Sequence, residues 1–118
     1  MTKHNKQIGA WGEETAAVWL AEHGYEVLAR NVRTPYGEID IVAKQGDITI
    51  FVEVKTLISS KDFFPEHQIT FRKQSHMLAA AEHYAAEHEI DHFQIDVIAV
   101  EGKPGMKPII TYFENVLG

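Results

Sequence analysis

The sequence predicts an α/β fold in the order helix, three strands, helix, strand and a short final strand. Three stretches carry that prediction. Residues 6–23 place small and apolar residues at helical spacing. Residues 37–55 hold two β-branched runs on either side of Gln45-Gly46-Asp47, the pattern of a hairpin. Phe93–Val100 is nearly continuous in its apolar character, as an inner strand is.

The 118 residues suit a single domain, 1–118. With 45% hydrophobic and 24% charged residues the chain can bury a core, which excludes a disordered chain. No apolar run reaches bilayer length, and the first residues lead into a helix holding Glu13 and Glu14 rather than an apolar signal segment. Cysteine is absent, so disulfides and thiolate metal sites are excluded, and a cytoplasmic setting is expected. A net charge of −6 excludes a strongly basic nucleic-acid coat. It is compatible with an enzyme acting on nucleic acid, if some of the acids hold a cation.

Taken in order, Lys6–His23 reads as the first helix. Ile8, Gly12, Ala16 and Trp19 repeat at helical spacing, as do Gly9, Glu13, Ala17 and Leu20. So wide a stripe of small residues implies close packing on a sheet. Glu13 lies at the edge of that stripe and, taken alone, reads as a margin residue reaching for water. Glu14 points elsewhere, into solvent. Gly24 stops the helix. Tyr25–Val32 is the first strand, and Arg33-Thr34-Pro35-Tyr36-Gly37 is a turn marked by its proline and glycine.

The hairpin of Gly37–Lys44 and Ile48–Lys55 follows. Its unusual feature is the charge inside its apolar runs. Asp40 interrupts the first strand, with Glu38 and Val42 on its face by alternation. Glu53 and Lys55 interrupt the second and share one face, opposite Val52 and Val54. Pairing around the turn brings Asp40 near the Glu53–Lys55 end. Two carboxylates and a lysine converging there match the needs of a hard divalent cation and of phosphodiester chemistry.

Thr56–Pro65 reads as a loop over that site, carrying Lys61, Phe63 and Phe64. Glu66 to about His88 is the second helix, with Ile69, Lys73, Met77, Ala80, Ala81 and Tyr84 along one face. Lys73 alone reads as a stem covering core. The seven histidines read as structural or surface residues, since His83 and His88 stand too poorly spaced to share a metal. Asp96, inside the apolar strand, requires hydrogen-bond partners, which gives it a structural role first. Ile109–Phe113 is a final edge strand.

Several pieces of the chain together resemble a known family. They are Gly12-Glu13, Gly24-Tyr25, Arg30-Asn31, Gly37-Glu38-Ile39-Asp40, Phe51-Val52-Glu53-Val54-Lys55-Thr56, Pro65-Glu66, Lys73 and Asp96-Val97-Ile98. The family is the YraN-like bacterial family, itself similar to archaeal Holliday-junction resolvases in the PD-(D/E)XK nuclease superfamily. The resemblance spans roughly Ile8 to Val100. It implies a restriction-endonuclease-like core, a central mixed sheet flanked by helices. It also implies Asp40 and Glu53 as ligands of Mg2+ or Mn2+, Glu13 completing the metal site, and Lys55 as the catalytic lysine. Arg72 and Lys73, opening the second helix, become expected contacts to substrate phosphate. Leu57 stands where the family usually has arginine, and Val32 where an aromatic residue is common.

The expected function is therefore metal-dependent hydrolysis of DNA phosphodiesters, in branched or otherwise structured DNA, with no membrane partner and with a homodimer as a further expectation. Three other readings stay open. The chain could bind nucleic acid with little cleavage, serve as a structural or interaction domain, or act on small phosphate esters.

Overall fold

The computed structural model describes residues 3–57 and 71–117, with side chains over 7–57 and 76–117. Its elements are α1 (Lys3–Glu22), β1 (Glu26–Thr34), β2 (Gly37–Gln45), β3 (Ile48–Leu57), α2 (Phe71–Glu87), β4 (Phe93–Glu101) and β5 (Ile109–Phe113). This is the expected α/β order. Strand β1 runs two residues beyond the expected Val32, which shortens the turn to Pro35-Tyr36. Strand β3 continues through Thr56 and Leu57, expected as loop, because both register with Val100 and Glu101 of β4. The expected loop over the site, with Lys61, and the expected helix start at Glu66 lie outside the described residues.

The five strands lie in sequence order and form a mixed sheet. Every neighbouring pair is antiparallel except β3 and β4, which are parallel. A parallel pair needs a crossover, and α2 lies within that connection. The sheet therefore separates two apolar layers. On one face Ala16, Ala17 and Leu20 of α1 pack on Ile41, Ile50, Val52 and Ile98. On the other, Ala80 and Ala81 of α2 pack against Val42, Phe51 and Ile95. Burying a side chain such as Leu20, Ile41 or Ile98 stabilises the fold by about 1.5–3 kcal/mol each.

Small residues on α1 let it approach closely. A Cβ at Gly12 would stand 2.0 Å from Thr56 Oγ1 on β3, so no other residue fits there without movement. Helix and strand touch at that point, and Glu13 is the next residue.

Both helices end on one device. Trp19 stacks on His23 with ring centroids 3.9 Å apart, and Tyr84 stacks on His88 at 3.9 Å. Each histidine Nδ1 also lies within hydrogen-bond distance of the carbonyl four residues earlier, at 2.7 and 2.9 Å. The next residue turns left-handed in each case, Gly24 at φ 89° and Glu89 at φ 53°. Tyr25 N then donates to Leu20 O at 3.0 Å and Ile90 N to Ala85 O at 2.8 Å, closing each terminus.

Asp96 is fully buried on β4. Its carboxylate accepts from Gln94 Nε2 at 3.0 Å, Asn115 N at 2.8 Å and the Tyr112 hydroxyl. Burial, followed by the bond to Asp96, pushes the Tyr112 hydroxyl far above its ordinary pKa. This network ties the chain after β5 back to β4. Among the described residues, no helix is long and apolar enough to cross a membrane.

Candidate functional site

Strands β2 and β3 part company at one point. Their register runs from Gln45↔Ile48 to Ile41↔Val52. Beyond it, β2 continues against β1 through Val32↔Ile39 and Thr34↔Gly37, while β3 continues against β4 through Leu57↔Glu101. A wedge opens between them, and Asp40 is the first β2 residue inside it. Its Oδ2 accepts the Val54 N–H at 2.8 Å, so a side chain takes the place of the missing ladder bond.

Strict alternation fails here. Ile39 packs with Val42 on the α2 face, whereas Ile41 packs on the α1 face. The expectation that Glu38, Asp40 and Val42 share one face is corrected accordingly. Across from Asp40, Asn31 adopts φ 52°, a left-handed conformation that asparagine tolerates better than most residues. Ala29 and Val32, on either side of it, both pack toward α2. A left-handed residue in β1 facing Asp40 in β2 thus turns both strands at one place.

The turn brings carboxylates together from two elements. One oxygen each from Glu13, Glu38 and Asp40 lies within 4.8 Å of the others. Asn31, with its amide oriented to serve both acceptors, donates from Nδ2 to Glu13 Oε1 at 2.6 Å and to Glu38 Oε1 at 3.2 Å. Burial pushes the Asp40 carboxyl up to about 7. The Val54 N–H opposes that rise, and Glu13, Glu53 and Glu38 add to it in that order. Glu13 is raised as well, by burial and then by Glu38, with Arg30 pulling it back.

Glu53 stands outside the group of three but acts on Asp40 through its charge. It also shares a cavity with it. That cavity, of about 220 Å³, lies between the sheet and α2. It is lined by Ile39 and Asp40 of β2, Phe51 and Glu53 of β3, and His76 and Met77 of α2. Asp40 therefore meets Glu13 on one side and the Glu53 cavity on the other. Lys55 is half-buried and falls on the face of Phe51 and Glu53 by alternation. Arg72 and Lys73 belong to α2, and their side chains are outside the described residues.

The donor set fits a hard cation. Two oxygens on opposite sides of magnesium stand about 4.2 Å apart, twice its usual bond length. A group spread over at most 4.8 Å needs only a small closure, or bridging water, to reach that span. Carboxylates gathered where burial disfavours their charge are stabilised by a cation more than by water.

Glu14 is exposed, as the sequence reading has it, and it has a partner. Arg30 Nη1 pairs with Glu14 Oε2 at 2.6 Å on the protein surface. Three members of the site are absent from the sequence reading as site residues. Glu38 had a signal, standing two residues before Asp40 in a strand. Asn31 stood in the Arg30-Asn31 piece of the resemblance, with no role attached, and the Val54 N–H had no signal, since it acts through a backbone geometry that no periodicity encodes.

Comparison with known proteins places the chain. A solved structure, that of Pyrococcus furiosus SfsA in complex with Ca2+, aligns over 93% of this chain and 63% of that one. Its TM-score of 0.36 and 15% identity make it too distant a likeness to carry an argument. The sequence relatives are nearer. A UPF0102 protein of Syntrophotalea carbinolica is 44% identical over 102 residues, covering 85% of this chain and 83% of its own. One from Dehalococcoides mccartyi is 36% identical over 121 residues, covering 100% of this chain and 98% of its own. The model of Uncharacterised protein family UPF0102 matches residues 12–100, a span that holds Glu13, Asn31, Glu38, Asp40, Glu53 and Lys55, and the chain belongs to that family.

Proposed function

We propose that the protein is a nuclease of the PD-(D/E)XK type, hydrolysing DNA phosphodiesters with Mg2+ or Mn2+. The observation that carries this reading is the wedge at Asp40. Three carboxylates from two elements are gathered there, and Asp40 titrates near neutrality. An arrangement so unfavourable to itself is what a cation-binding site requires.

Asp40, Glu53 and Glu13 are the ligands in this reading, with Glu53 reaching the ion from outside the group of three and Glu38 beside it. The Val54 N–H fixes the Asp40 carboxylate, and Asn31 fixes Glu13 against Glu38. Held there, a divalent ion supplies Lewis acidity toward the phosphate and a more acidic water. The Lys55 ammonium lies on the Glu53 face, where it orients the attacking water or offsets charge developing on the phosphoryl oxygens. Arg72 and Lys73 of α2 are the expected phosphate contacts. DNA in branched or structured form is the proposed substrate, and the cytoplasm the proposed setting.

The test is cleavage of branched, single-stranded and duplex DNA in magnesium or manganese. Glu53→Gln keeps the shape and removes the charge, so cutting should cease while the fold persists. A second reading, a nucleic-acid-binding domain that cuts little, is favoured by the net charge of −6 and by Leu57, which is buried where the family usually has arginine. Wild-type protein that leaves all three substrates intact in both metals moves that reading ahead.

A further inference from the structure

We propose that the cavity beside Asp40 holds a single unpaired nucleobase, stacked on Tyr36. The substrate is then a nucleic acid with unpaired nucleotides rather than intact duplex. The inference rests on the nuclease reading only for its purpose, because the binding it describes is separable from cleavage.

Tyr36 is an exposed residue in the lining of the cavity. It sits in the β1–β2 turn with 52% of its surface exposed, yet its position is held. Tyr36 N donates to Thr34 Oγ1 at 3.1 Å, and the same hydroxyl donates to Gly37 O at 2.7 Å. Gly37 closes the turn at φ 138°, a region reserved for glycine. The ring also meets His83 of α2 edge-on, with centroids 5.9 Å apart and planes at 63°. An exposed aromatic ring restrained on two sides is a stacking platform with little ordering entropy left to lose.

The space behind the ring suits one base. At about 220 Å³ it is smaller than the roughly 300–1,000 Å³ of pockets for drug-sized ligands, so it accepts a single ring system and not a base pair. Ile39, Phe51, Met77 and Ala80 give it apolar walls for the faces of a base. Asp40 and Glu53 line the same cavity and can accept hydrogen bonds from exocyclic amino groups. A base inside a duplex cannot enter such a space without leaving its stack, and an already unpaired base enters at least expense. With a base held there, the adjoining phosphate lies beside the carboxylates.

The experiment measures binding, by fluorescence anisotropy, of single-stranded DNA, single-stranded RNA of the same sequence and blunt duplex DNA. Each is titrated once in calcium and once in EDTA. The single strands carry an aminopurine base, whose emission falls when it stacks on an aromatic ring. The single strands should bind more tightly than the duplex, with quenching. Tyr36→Ala should weaken single-strand binding by about 5- to 150-fold, the range for loss of one stacked base, and abolish the quenching. Tyr36→Trp should retain both. Unchanged affinity and quenching in a folded Tyr36→Ala protein, equal loss on duplex and single strands, or no binding of either strand by wild type would overturn the proposal. DNA and RNA arms that differ identify the sugar the site takes. Cleavage is scored separately. A wild type that binds and quenches but never cuts removes the nuclease reading alone. One that cuts while Tyr36→Ala binds like wild type removes this inference alone.

Discussion

The Asp40 carboxylate and the Val54 N–H meet at 2.8 Å where β2 and β3 separate. This bond holds an acid in a place where its charge is disfavoured. A hydrogen bond to the charged form lowers a pKa, yet Asp40 stands at about 7, so burial prevails over the N–H.

The pH dependence of stability follows from that balance. The ordinary value for the group is 3.8, and the folded value is about 7. Between these the folded protein keeps a proton that the unfolded chain has released. The stability from this group is therefore fully present below about pH 4 and is lost as pH rises through about 7. Asp40→Asn keeps an oxygen for Val54 and cannot titrate. Urea unfolding at about pH 5 and about pH 8 without divalent cations should show wild type losing stability relative to the variant as pH rises. Excess magnesium should restore wild type at the higher pH and leave Asp40→Asn unchanged. A wild-type-minus-variant difference that stays flat with pH would mean that the folded protein does not disfavour the Asp40 charge.

Gly12→Ala tests the contact that sets Glu13 in place. Alanine gains about 1 kcal/mol of helix propensity over glycine. Against this stands a Cβ placed 2.0 Å from Thr56 Oγ1. Overpacking of that kind costs about 1–3 kcal/mol, so the clash should win and the variant be less stable. Removing the hydroxyl in the double variant Gly12→Ala/Thr56→Ala should recover most of the loss. Additive effects in that double-mutant cycle would show that α1 does not rest on Thr56.

Asn31 and Glu89 are two of the non-glycine residues with a left-handed backbone, and they should respond differently to glycine. Glu89, at φ 53°, closes α2 through its backbone. Glu89→Gly should raise stability by about 0.5–1 kcal/mol, as relief of strain outweighs the added freedom of the unfolded chain. Asn31, at φ 52°, also holds Glu13 and Glu38 through its amide. Asn31→Gly should relax the backbone but lower affinity for manganese by about 10- to 100-fold, the usual effect of losing a partner that orients a metal ligand. Manganese affinity equal to wild type would detach Asn31 from the site.

How far the sequence reached can be judged from these same residues. The hairpin, the helix stripe with Glu13 at its margin, and the apolar strand around Asp96 were legible because periods of two and of 3.6 residues report burial directly. Strand ends were less so. Thr56 and Leu57 look like loop until β4 offers them partners 44 residues away, Val100 and Glu101. The wedge was not legible. It depends on the backbone turning at Asn31 and on β2 and β3 taking different neighbours, and neither leaves a repeat in the chain. Reading β2 as an ideal strand put Asp40 on one face, whereas the structure gives it access to both helices.

That double access bears on which carboxylates complete the proposed cation site. Glu13 and Glu38 group with Asp40, while Glu53 stands outside that group and lines the cavity with Asp40 and Glu38. Glu38 is exposed and shares Asn31 with Glu13, so water already screens its charge. Glu53 is half-buried, and its charge reaches Asp40 through less water. A buried donor contributes more to holding a cation than a screened one of the same type. Manganese titrations by calorimetry should therefore separate the two. Glu53→Gln is expected to weaken binding by about 100-fold or more, and Glu38→Gln by about tenfold or less, as a residue acting through its neighbour does. Glu13→Gln should fall between them. The reverse order, with Glu38→Gln the more damaging, would move the ion to the α1 side of Asp40. Glu53 would then be a residue of the base cavity rather than a ligand, and its loss would alter binding of single-stranded DNA in EDTA, where no cation takes part.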